Sequence, residues 1–188
     1  MEPMEKSGIS KGLTIWFTGL PSSGKTAISN LVAKSIHLMD NRIAIEQIDG
    51  DVIRQTFSKG LGFSREDRDA NVARVSHVAH MLTHHGIIVL VSLVSPYRQA
   101  REDARTLIGA DSFIEVHVHA SQAACIRRDV KGLYKQYREG KITHMTGMDD
   151  PYEIPLAPDV TCCTTRETVE ISAWRVLSKI IERRLRSE

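Results

Sequence analysis

The chain has 188 residues, 41% of them hydrophobic and 26% charged, with a formal net charge of +2. That length suits one domain burying roughly 70% of its unfolded surface, and so small a charge argues against a nucleic-acid or other polyanion binder. No apolar run approaches the ~20 residues of a membrane span, and the opening MEPMEKSGISKG lacks an apolar signal core, so neither a membrane nor a secretory address is expected.

In chain order, apolar β-type runs alternate with helical periods. Residues 13–18 (LTIWFT) read as a strand, and 25–39 as a helix with Ile28, Leu31, Val32, Ser35 and Ile36 on one side. A second strand is expected at 43–48, and a long helix at 66–85, where Val72, Val75, Val78, Ala79 and Leu82 keep helical spacing. The continuous apolar run 87–94 suits a strand covered on both faces. A helix over 97–108, a strand over 113–119 and a serine-capped helix over 121–130 follow. A short strand at 159–164 and a helix at 166–185 close the chain. Alternation of this kind implies βαβ units, hence a three-layer α/β domain with a central parallel sheet of about five strands. Residues 1–11 read as an N-terminal arm. The irregular stretch 131–158 reads as a lid, because loops of that length are usually functional lids or disordered.

Ligands of such sheets bind beyond the carboxyl ends of the strands, so the residues following each strand carry most of the information. After the first comes GLPSSGKT, which fills every fixed position of G-x-x-x-x-G-K-S/T. Gly19 and Gly24 permit a loop whose N–H groups converge on a phosphate, with Leu20, Pro21, Ser22 and Ser23 between them. Lys25 would reach the β- and γ-phosphates, and the Thr26 hydroxyl would hold Mg²⁺. An ordinary strand–helix turn would not need all of these residues at once.

The second strand is followed by DGDVIR. Of its two carboxylates, one would orient Mg²⁺ through water and the other take a proton from an attacking hydroxyl; Asp49 and Asp51 both qualify, and a merely capped turn is the plain alternative. Arg54 would hold an anionic substrate. Phe63, on a glycine-flanked loop, suits a ring that stacks on a ligand or anchors the loop. Arg68 and Asn71 lie one turn apart on the next helix and would face one ligand. The third strand is followed by SPYR, where Ser95 would touch a phosphate or simply cap a helix. Arg127, Arg128, Lys131, Arg138 and Lys141 would close cations over the transferring group. Together these features describe a nucleotide-dependent phosphoryl transferase with a small acceptor.

IDGDVIR, LGFSREDRDAN, VSLVSPYR, RDVKGLYKQYREGKI and TGMDDPYE occur in that order, and with them the chain closely resembles the adenylylsulfate kinase family over nearly its full length. The resemblance implies a P-loop kinase fold and transfer of the γ-phosphate of Mg·ATP to the 3′-hydroxyl of adenosine 5′-phosphosulfate. It implies that Asp51, Arg54, Phe63, Arg68, Asn71, Val94, Ser95 and Lys131 line the acceptor pocket. Residues 19–26 would hold ATP, with Arg128, Cys125 and Thr164 nearer its other end. Ser95 would match the family's phosphoserine position, although direct in-line attack needs only positioning and charge neutralisation. The family usually has Phe-Thr-Gly in the lid; here the string is HMTG, so Met145 replaces the ring and His144 would share its stacking. The resemblance further implies a homodimer, and a separate ATP sulfurylase to supply the acceptor.

Two rival readings remain at this level: a same-fold kinase acting on a related nucleotide such as a cytidine diphosphate derivative, and a non-catalytic nucleotide-binding module. Cys125, Cys162 and Cys163 have no C-x-x-C spacing and read as small buried apolar residues. His77, His80, His84 and His85 share a helix without a completing carboxylate or cysteine and read as a solvated or edge-packed face; Glu115, His117 and His119 alternate on one strand face and read as structural.

Overall fold

The computed structural model describes residues 12–185; the N-terminal arm expected at 1–11 lies outside them. Five parallel strands, β1 (Leu13–Thr18), β2 (Ile45–Asp49), β3 (Ile88–Ser92), β4 (Phe113–His119) and β5 (Val160–Cys163), stand in the order β2-β3-β1-β4-β5. β1 is central and buried along its whole length. It pairs Trp16 with Val91 of β3 on one side and with Glu115 of β4 on the other.

Among the described residues, seven α-helices connect and cover the sheet: α1 (Lys25–Met39), α2 (Gly50–Gln55), α3 (Arg65–His84), α4 (Arg98–Ile108), α5 (Gln122–Arg128), α6 (Leu133–Arg138) and α7 (Val169–Leu185). Side chains alternate across β1, so Leu13, Ile15 and Phe17 face α1 and α7 through Ile28, Val32, Ala173, Val176 and Ile180. Trp16 faces α3 and α4 through Val72, Val75, Ala79, Ala100 and Ala104, with Phe113 stacked on it at 5.8 Å between ring centres. These are the two cores of a three-layer sandwich. A third, smaller apolar group, Ala120, Cys125, Tyr134 and Met145, joins α5, α6 and the segment after them.

The predicted elements are present, with shifts at their ends. β3 stops at Ser92 rather than at residue 94, because Val94 turns its carbonyl to the Thr18 hydroxyl and leaves the ladder. α2 and α6 have no counterpart in the sequence reading. Each is six residues long, too short for an apolar period to show. α2 is capped by Asp49, whose Oδ1 accepts from the Asp51 N–H at 2.9 Å. The stretch 131–158 is thus not wholly irregular: it opens with α6, then turns tightly where the Asp149 carboxylate accepts from the N–H groups of His144 and Met145. Among the described residues no helix is long and apolar enough to cross a membrane.

Candidate active site

The carboxyl ends of β1, β2 and β3 open into one cavity of about 720 Å³, roofed by α6 and the segment after it. Its floor is the phosphate loop. Gly24 takes φ 109°, a conformation other residues rarely adopt. Gly19 passes so close to β4 that a Cβ would come within 2.4 Å of the Val118 carbonyl. Pro21, Ser22, Gly24, Lys25 and Thr26 line the cavity. Gly19, Leu20 and Ser23 shape the loop from behind, and Ser23 is buried with its hydroxyl unpartnered.

Lys25 folds back over this loop and donates to the carbonyls of Gly19 and Leu20, each at 2.9 Å. Burial, followed by the repulsion of Lys131, pulls its ammonium down to about 8. Thr26 Oγ1 donates to Asp49 Oδ2 at 2.8 Å. These two groups are hard oxygen donors beside the phosphate cradle, a set that fits Mg²⁺. Asp51, two residues further on in α2, forms an ion pair with Lys131, just before α6. Both carboxylates thus face the same space from different positions.

On the other side of the cavity, Arg54 donates to the Gly62 carbonyl at 2.7 Å, and its guanidinium lies 4.5 Å from the centre of the Phe63 ring. Phe63 is 47% exposed and lines the cavity, so it is not a core anchor for its loop. Arg68 also faces that ring, donates to the Phe63 carbonyl at 2.9 Å and to the His144 carbonyl, and is buried. Asn71 is 4% exposed, and its Oδ1 has no partner, as is also true of the hydroxyls of Ser92 and Thr146 on the same cavity wall. Buried polar atoms of this kind need a hydrogen-bonding ligand or water. Val94, Ser95, His144 and Met145 complete the wall. Ser95 sits at φ 37° and its Oγ accepts from the Trp16 indole at 3.0 Å.

At the opposite end, Arg128 donates to Thr164 Oγ1 at 2.9 Å and to the Thr164 carbonyl at 2.6 Å. With Arg127, Ala124 and Thr165 they border a side recess of about 280 Å³. Not every expected residue is here. Cys125 is fully buried beneath the loop against Tyr134 and does not line the cavity, because its face of the short α5 points into the third core. Arg138 and Lys141 likewise stay off the cavity wall, and Lys141 pairs with Glu139 at 2.7 Å. Ser92, Thr146, Gln136 and Glu167 line the cavity although nothing in the sequence singled them out. Thr146, Ser92 and Gln136 lie inside the TGMDDPYE, VSLVSPYR and RDVKGLYKQYREGKI strings; Glu167 carries no local signal.

His80 and His84 stack at 6.3 Å, and no cluster of metal-binding side chains occurs among the described residues. Glu115 instead holds the buried Arg101 at 2.7 Å. His117 is buried against Tyr152; desolvation, with His119 and Arg101 nearby, pushes it down to about 4, so it is neutral at physiological pH.

A 2-3-1-4-5 parallel sheet with a phosphate loop after its central strand, and a carboxylate facing the loop's threonine, defines a P-loop phosphotransferase of the small-molecule kinase type. The family model for adenylylsulphate kinase matches residues 11–163, and the chain belongs to that family. The adenylyl-sulfate kinase of Picosynechococcus sp. is 48% identical over 172 residues, 92% of this chain and 95% of that protein. Its counterpart in Synechococcus sp. (strain JA-2-3B'a(2-13)) is 52% identical over 159 residues, 85% of this chain and 89% of that one. Among solved structures, the Mycobacterium tuberculosis APS kinase in complex with AMPPNP and APS matches with a TM-score of 0.84 and 39% identity, over 90% of this chain and 98% of that one. A gluconokinase from Sinorhizobium meliloti, TM-score 0.61 at 15% identity, shares the fold.

Proposed function

We propose that this chain transfers the γ-phosphate of ATP to the 3′-hydroxyl of adenosine 5′-phosphosulfate, giving 3′-phosphoadenylyl sulfate and ADP. The observation that carries the reading is the meeting, in one cavity, of a phosphate loop with a cation- and aromatic-lined wall at Arg54, Phe63 and Arg68. The kinship to adenylyl-sulfate kinases supports the choice of acceptor.

In this reading the loop N–H groups and Lys25 hold the β- and γ-phosphates, and Arg128 and Thr164 border the donor's other end. Thr26 and Asp49 would hold Mg²⁺, which when bound neutralises charge developing on the phosphates. Phe63 stacks on the acceptor's adenine with Met145 and His144 opposite, while Arg54, Arg68 and Asn71 fix its polar groups. The Asp51 carboxylate takes the proton of the 3′-hydroxyl as that oxygen bonds to phosphorus and the bond to ADP breaks. Asp49, already engaged with the Thr26 hydroxyl and the Asp51 N–H, is the weaker candidate for the base. Ser95 would orient the transferring group; its buried hydroxyl, held by Trp16, supports a fixed contact better than a phosphorylated intermediate.

A homodimer, a cytoplasmic setting and supply of the acceptor by a separate ATP sulfurylase belong to the same proposal. The three free cysteines fit a reducing compartment, and sedimentation would report the dimer. Product analysis tests the activity. Purified protein is given Mg·ATP with adenosine 5′-phosphosulfate, AMP or cytidine nucleotides, beside Asp51→Asn. Stoichiometric ADP and 3′-phosphoadenylyl sulfate are expected from the sulfated acceptor alone; transfer to a cytidine nucleotide instead, or to nothing, would overturn the reading.

A further inference from the structure

Tyr152 and Glu153 of the TGMDDPYE string and Arg98 of SPYR do not line the cavity, yet the structure gives them a common place. Thr18, the residue before the phosphate loop, donates its hydroxyl to the Val94 carbonyl at 2.7 Å. That proton is thereby committed, so the Tyr152 hydroxyl, 3.0 Å away, donates to Thr18 Oγ1. Three segments distant in sequence meet at one side chain: the entry to the phosphate loop, the turn carrying Ser95, and the return of the lid.

The surroundings of this junction are rigid. The Tyr152 ring stacks on His117 at 6.0 Å between centres and 21° between planes. Arg101, 3% exposed, donates to the Ser95 carbonyl, the Glu153 carbonyl and the Glu115 carboxylate, each at 2.7 Å. The Glu153 N–H donates to the Pro96 carbonyl at 2.8 Å, and the Glu153 carboxylate accepts from the Arg98 N–H at 2.8 Å. The lid's return is thus zipped along the Ser95 turn, and a residue held at φ 37° keeps that geometry only if its neighbours enforce it.

We infer that Tyr152, acting through Thr18, is a positioning residue that sets the Ser95 turn and the lid against the phosphate loop. Neither side chain lines the cavity; their effect is on the distance and angle between donor and acceptor, to which transfer rates are steeply sensitive. The inference rests on the kinase reading above.

The test removes one hydroxyl. Tyr152→Phe keeps the ring on His117 and should fold, while kcat for transfer falls about tenfold or more and KM for ATP stays within about twofold. Thr18→Val should lose at least as much, Thr18→Ser should stay near the native rate, and the double variant Tyr152→Phe/Thr18→Val should lose no more than Thr18→Val alone. Amide exchange over residues 93–97 should quicken in Tyr152→Phe, with global stability changed little. A native kcat in Tyr152→Phe, or losses that multiply in the double variant, would overturn the inference. If the native protein fails to phosphorylate the sulfated acceptor, the proposed function fails, and the exchange measurement still decides this point: unchanged exchange at 93–97 rules it out.

Discussion

Thr26 Oγ1 and Asp49 Oδ2 stand 2.8 Å apart, joining the start of α1 to the end of β2 on the lining of the cavity. The contact unites a hydroxyl from the phosphate loop with a carboxylate that also caps α2 through the Asp51 N–H. One side chain would therefore serve both the proposed metal site and the placement of the proposed base.

Asp49→Asn keeps an acceptor for the Asp51 N–H but removes the charge. The Mg²⁺ concentration for half-maximal rate should rise about 10- to 100-fold, the usual scale for losing a group that supports a metal. Asp49→Ala should add a loss of about 1 kcal/mol in stability, as the helix cap goes too. Initial rates titrated with Mg²⁺, beside urea unfolding, separate the two effects. An unchanged metal requirement in both variants would count against Asp49 as a supporter of the metal.

Asp51→Asn should lower kcat by about 10² to 10⁴, the range for removing a general base, while calorimetric ATP affinity stays close to native. If Asp49→Asn lost the greater part of kcat at saturating Mg²⁺ and Asp51→Asn did not, the two carboxylates would exchange roles.

Lys25 makes a prediction about pH. Its folded value lies near 8, against 10.5 for a free lysine, because burial disfavours the charged form. Below pH 8 folded and unfolded chains both hold the proton, and the burial cost is present in full. Between about 8 and 10.5 the folded chain releases it first, so this group's contribution to stability rises with pH. A bound triphosphate reverses the balance by favouring the ammonium. ATP binding near pH 8.5 should therefore take up a proton, and affinity should fall as pH climbs above 8. Calorimetry in two buffers of different ionisation enthalpy reads the uptake, which Lys25→Met should abolish; proton release on binding would contradict the assignment.

Met145 is 4% exposed and packs against Ala120, Cys125 and Tyr134 while lining the same cavity as Phe63. Met145→Phe should supply the second ring, lowering acceptor KM by about 2- to 10-fold for a stacking gain of about 0.5–1.5 kcal/mol. It should also cost about 1–3 kcal/mol of stability from overpacking. A KM that does not fall would mean that the thioether already does the ring's work.

Much of the site was legible because its chemistry sits in short, contiguous strings placed at strand ends. GLPSSGKT, DGD and SPYR each follow an apolar run, and parallel topology brings all three runs to one edge. α2 and α6 escaped because six residues cannot display a helical period against a polar background. Cys125 was assigned toward ATP, but the face of a seven-residue helix is decided by what packs beneath it, and Tyr134 and Met145 claim that face.

By itself the sequence determined the order of strands and helices, the phosphate cradle and the pair of carboxylates beside it, since apolar periodicity and glycine placement act over a few residues. Only the tertiary structure decided which of those carboxylates meets Thr26, that the Trp16 indole holds Ser95, and that Tyr152 reaches Thr18. These partners lie 23, 79 and 134 residues apart. No local pattern encodes such distances; the pairing exists because a parallel sheet and the segment 131–158 carry the side chains to one place.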